Sequence, residues 1–139
     1  MYNTLYSKID AILAKVSPAI PERFGYPIGS AKITKYPAVI YFPLKENNEF
    51  QTTGENYKTY EFVIYIVVGT KEKELNKVFS EVLANMGDAI IAQFDEDWGD
   101  TIDGHRASLL INSGSWSMDH TGNEAIREIN LKIQVLTNN

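Results

Sequence analysis

The segment Tyr57–Gly69 (YKTYEFVIYIVVG) constrains this chain more than any other. Aromatic and β-branched residues dominate it, and these suit a pleated strand. Side chains alternate across a strand, so Tyr60, Phe62, Ile64, Ile66 and Val68 share one face. Val63, Tyr65 and Val67 share the other, and that face is apolar too. Helices can cover only one of them. An uncovered patch of that kind usually meets a partner or another copy of the chain, because such patches are rare on soluble monomers.

The remaining elements arrange themselves around this strand. Leu5, Ile9, Ile12, Leu13 and Val16 recur at helical spacing, and Pro18 and Pro21 stop the helix. A proline- and glycine-rich connection follows from Ser17 to about Lys35. Ala38–Leu44 (AVIYFPL) reads as a strand, with Pro43 marking an edge or an early stop. Lys45–Asn56 is polar, contains Gly54, and reads as an extended, mobile hairpin connection. A long helix is expected over Lys73–Phe94, with Leu75, Val78, Phe79, Val82, Met86, Ala89, Ile90 and Phe94 as its apolar stripe. An acidic loop, Asp95–Gly104, ends it. A strand over Ala107–Met118, interrupted near Ser113 and Gly114, leads through a turn at Asp119–Asn123 to the last strand. That last strand, Ala125–Leu136, alternates Ile129, Leu131, Ile133 and Val135 with Glu128, Asn130, Lys132 and Gln134.

The order α-β-β-α-β-β predicts one two-layer α+β domain over residues 1–139. Its expected sheet is four-stranded and mostly antiparallel, with the helices packed on one face. Phe62, Ile64, Phe79, Val82, Met86, Leu131 and Ile133 are the expected core.

Composition narrows the chemistry. The chain has 139 residues, no cysteine, 44% hydrophobic residues and a net charge of −5. This suits one soluble, cytoplasmic domain and excludes disulfides, thiol nucleophiles and thiolate metal sites. No apolar run approaches the ~20 residues of a membrane-crossing helix, and the N-terminus lacks a signal-peptide pattern. The acidic balance argues against a nucleic-acid grip that neutralises many phosphates, and no sequence-specific nucleic-acid partner is expected. Asp95, Glu96, Asp97, Asp100 and Asp103 offer hard oxygen ligands, yet their spacing fails the EF-hand template at its sixth and twelfth positions. His105 near Asp103, and His120 beside Asp119, offer no pairing by sequence adjacency alone. Ser113, Ser115 and Ser117 lack a nucleophile-elbow setting, and no phosphate-binding glycine loop is present. The expectation is no catalysis, no bound metal and no cofactor.

Tyr36-Pro37-Ala38-Val39, Tyr60-Glu61-Phe62-Val63-Ile64-Tyr65-Ile66 and Arg127-Glu128-Ile129-Asn130-Leu131-Lys132-Ile133 resemble, in pattern and order, the tail terminator proteins of long-tailed bacteriophages. That group includes minor tail protein U and its tail-to-head joining relatives. The resemblance runs from about Met1 to Leu136 and rests on strand pattern and element order. It implies a virion tail protein, assembled in the host cytoplasm, that forms a hexameric ring on the tail tube and halts its growth. The implied partners are other copies of itself, the tail-tube protein and a head-completion protein. Phe50, Val63, Tyr65 and Val67 are the candidate contact residues. Two other readings stay open: a small self-associating ligand-binding module, and an enzyme using His105 and the Asp95–Asp103 loop.

Overall fold

The computed structural model describes residues 1–29, 32–52, 55–70, 75–119 and 121–138, and the side chains of all these except 47–52, 55–56 and 137–138. Its centre is a sheet of seven strands: β1 (Glu22–Phe24), β2 (Ala38–Thr52), β3 (Glu55–Gly69), β4 (Thr101–Ile102), β5 (His105–Asn112), β6 (Trp116–Met118) and β7 (Glu124–Asn138). The spatial order is β1-β2-β3-β7-β5-β4, with β6 also on β7. β1 runs parallel to β2 and the other pairings are antiparallel.

This corrects the expected four-stranded antiparallel two-layer sheet. The sheet is mixed, larger, and curled into a half-barrel. The extra strands are short additions at the edges. β1 has three residues inside the connection read as irregular, and β4 has two inside the acidic loop. β4 and β5 meet at a two-residue turn, Asp103-Gly104, where φ is 49° and 78°. Positive φ at both positions is the geometry that favours Asp-Gly in tight hairpins.

β2 and β3 are also longer than their apolar segments. Residues 45–52 continue β2 through register shifts near Leu44 and Gln51, so the polar stretch is an extended hairpin whose backbone is paired with β3. β5 and β6 are one interrupted strand on the far side of β7. The break falls at Ser113-Gly114-Ser115. There Gly114 has φ 67°, and a Cβ on it would strike the Glu128 carbonyl.

Helix α1 (Tyr2–Ala14) buries Leu5, Ile9, Ile12 and Leu13, the face its spacing implies. Tyr2 and Tyr6 pack on Tyr60, Tyr41 and Phe62 of the sheet. The long helix is compound: α2 (Leu75–Lys77), a π-helical segment Val78–Leu83, and α3 (Ala84–Asp97). Its expected start at Lys73 lies outside the described residues.

The π-helical turn changes which residues are core. A π-helix closes i→i+5, so its wide turn sets the helix back by one residue. Buried positions accordingly step from Val78 to Leu83 and then to Met86, Ile90 and Phe94. Leu83 is fully buried, while Val82 and Phe79, both expected in the core, are only partly buried against it.

Arg127 fixes the helix to the sheet at this turn. It lies on the apolar face of β7 and is 4% exposed. Its Nη1 donates to the Leu83 and Ala84 carbonyls at 3.2 and 3.1 Å, where the wide turn rejoins α3. The guanidinium stacks 4.5 Å from the Trp116 ring and lies 3.6 Å from Asp88. Gly87 makes this possible, because a Cβ there would overlap the guanidinium.

Candidate functional site

Both helices occupy one face of the sheet, so the other face, here called the open face, is where an external partner has access. On β3 it presents Tyr57, Thr59, Glu61, Val63, Tyr65 and Val67, which pair across to Leu136, Gln134, Lys132, Asn130, Glu128 and Ile126 on β7. β2 adds Ala38, Ile40 and Phe42. β5 adds Arg106, Ser108 and Leu110.

The chain itself covers the half of this face near Val67. The connection brings Ile28 and Ile33 against Ile40, Tyr65, Val67 and Ile126, around a small cavity of ≈ 190 Å³. Three polar contacts hold that connection down. Glu22 accepts hydrogen bonds from the backbone of Thr34 and Lys35 at 2.8 and 3.0 Å. Asp10 accepts from the Tyr41 hydroxyl at 2.7 Å and from Arg23 at 3.2 Å. Tyr36 donates to Glu124 at 2.7 Å. The Tyr41 hydrogen bond holds the Asp10 carboxyl below its usual range, against an opposing push from burial. Burial, and then the Asp10 bond, push the Tyr41 phenol up.

The candidate contact residues separate accordingly. Val63 is 0% and Val67 4% exposed, so both are already buried by this chain. Tyr65 is partly exposed, with its ring 5.9 Å from Phe42. Burial, followed by the nearby Glu128 carboxylate, raises its phenol pKa. Phe50 stands opposite Asn56 in the hairpin register, roughly 20 Å along the strand from Val63 at about 3.3 Å per residue. Its side chain lies outside the described residues.

The other half of the open face is polar and uncovered. Tyr57, Arg106, Ser108 and Gln134 line a cup of ≈ 350 Å³. Lys132 and Leu110 stand directly beside one another at its edge, and Leu110 is 66% exposed. Between Tyr57 and Glu61, Thr59 is 1% exposed, and its Oγ1 has no partner among the described residues.

The residues considered for chemistry do not converge. Asp103 accepts a hydrogen bond from Thr4 at 3.0 Å, and Asp97 accepts one from Gln93 and pairs with Lys15 at 3.3 Å. His105 is exposed after the tight turn, and His120 lies outside the described residues. Among the described residues no three His, Asp or Glu side chains gather as a metal site.

Sequence reasoning missed Arg127 and Leu110. The parity of the last strand carried the signal for Arg127, because two-residue spacing from Ile129 puts it on the apolar face. The same parity puts Leu110 among polar residues on β5.

No family model and no curated protein matches this chain. Among solved structures, a chain of the virion of a native gene transfer agent (GTA) particle has the same fold, with a TM-score of 0.52 and 11% identity. The match covers 99% of this chain and 95% of that one, so the two folds correspond along nearly their full lengths.

Proposed function

We propose that this chain is a structural protein of a phage-like virion tail, acting as a tail terminator. In this reading, copies assemble into a ring on the end of the tail tube, stop its growth and present a surface to the head. The observation that carries the reading is the end-to-end fold correspondence with a GTA virion chain. It is joined by the independent resemblance of the three strand motifs to tail terminators.

The geometry is compatible with this role. A ring needs two different surfaces per copy, each meeting the other on the next copy. This chain offers Tyr65, Phe42 and Leu110 on its open face. On the helix side it offers the turn at 94–100 that ends α3. The reading assigns no catalytic residue, metal or cofactor. It places the protein in the virion, with itself, the tail-tube protein and a head-completion protein as partners.

The test is to polymerise purified tail-tube protein with and without this chain. The expected outcome is tubes of limited length carrying an extra ring at one end in electron micrographs. Unchanged tube lengths and bare ends at saturating protein would overturn the reading.

A further inference from the structure

The uncovered half of the open face carries two cations and one large apolar side chain without intramolecular use. Arg106 and Lys132 make no ion pair among the described residues, and both stand on the face that exposes Leu110. A basic patch with an apolar centre accepts an apolar surface rimmed by carboxylates.

The chain contains such a surface on its opposite, helix-bearing side. Partly buried Leu109, with Trp98 at 5% exposure above fully buried Phe94, floors a depression of ≈ 310 Å³. Asp95, Glu96 and Asp100 rim it, and none of their carboxylates has a hydrogen-bond or ion-pair partner among the described residues. An arginine or lysine suits this shape, because its aliphatic stem lies on apolar ground while its charge reaches the rim.

We infer that the Arg106–Lys132–Leu110 patch docks a second copy of this chain at the acid-rimmed turn 94–100. The two surfaces are different and complementary in charge. They lie on opposite faces of one sheet, so the contact is head-to-tail and repeats from copy to copy. The inference rests on the proposed self-assembly and names the surfaces through which it proceeds. A single exposed ion pair contributes little. Here several charges act together, and Leu110 adds buried apolar area at their centre.

The experiment uses the full chain with paired charge reversals: Arg106→Glu with Lys132→Glu, and Asp95→Lys with Asp100→Lys. All four positions are exposed, so circular dichroism should show native folding in both variants. Light scattering at low salt and tube capping are the readouts. Each variant alone should assemble at least about tenfold less than wild type, as like charges then face one another. An equal mixture of the two should assemble again, since a reversed patch meets a reversed turn and wild-type surfaces meet in alternation. Combining all four substitutions in one chain should also restore assembly.

Variants that assemble as wild type, or a mixture that stays as weak as either variant, would overturn the contact. So would a wild type that binds oligolysine at the turn but never another copy. Wild-type capping that both variants retain rejects this contact and leaves the tail reading standing. Charge-rescued self-association without capping does the converse.

Discussion

The two faces of the sheet differ in what specifies them. Under the helices, Phe62, Ile64, Ile66, Ile129, Leu131 and Ile133 are all at most 1% exposed, and each is held by neighbours from the same chain. On the open face, apolar side chains run from fully buried Val63 to Leu110 at 66% exposure. Part of that face is roofed by the chain's own connection, and part carries Arg106 and Lys132, without an ion pair among the described residues, beside an exposed leucine. One face is shaped by folding. The other keeps features that folding does not need, and the proposed self-assembly would use them.

Substitutions should separate the two faces in order of effect. Phe94→Ala should be the most damaging, costing ~3–5 kcal/mol, because Phe94 is fully buried and leaves a cavity. Phe79→Ala should cost clearly less, since Phe79 is only partly buried on Trp116. Equal losses in urea unfolding would contradict the shift imposed by the π-helical turn.

Gly87→Ala should follow, at ~1–3 kcal/mol, because the added methyl displaces the Arg127 guanidinium. Its diagnostic is the spectrum of Trp116, which loses its stacked cation. An unchanged tryptophan signal with normal stability would show that Arg127 does not hold the helix as described.

A smaller effect should appear with acid. The folded-state pKa of Asp10 is lowered, so its contribution to stability is present above the unfolded carboxyl value of about 4. That contribution is lost as pH falls through the lower folded value. The thermal midpoint of wild type should therefore fall towards that of Asp10→Asn in this window. A constant gap between the two from pH 6 to pH 2.5 would mean that the Asp10–Tyr41–Arg23 contact does not pin the connection.

Leu110→Ser should be the mildest for folding, within about 0.5 kcal/mol, since the residue is mostly exposed. It should nevertheless weaken copy-to-copy association. A large loss of monomer stability would move Leu110 into the folding half of the comparison.

Much of the helix-covered face was legible in the sequence, because periodicity reports burial directly. The stripe of α1 and the alternation from Ile129 to Val135 became core as their spacing implies. The interruption near Gly114 was legible too, from the glycine and serines at the break. What escaped was set by tertiary context. A π-helical turn has no local signature, so Leu83 took the place expected for Val82. β1 and β4 are too short to show a period, and they pair only because longer strands offer free edges. The open face was half legible. Parity placed Val63, Tyr65 and Val67 on it, but nothing local shows that Ile28 and Ile33 fold back near Val67.

The most direct measurement of the difference between the faces uses the absence of native cysteine. Single variants Leu110→Cys on the open face and Asn85→Cys on the exposed side of α3 give one thiol each. Maleimide labelling is then followed with and without tail tubes. The thiol at position 110 should label readily in the isolated protein and become protected at tube ends, while the thiol at position 85 should label equally in both states. Unchanged labelling at position 110 on protein demonstrably bound to tubes would contradict this, because the open face would then not be the surface that assembly covers.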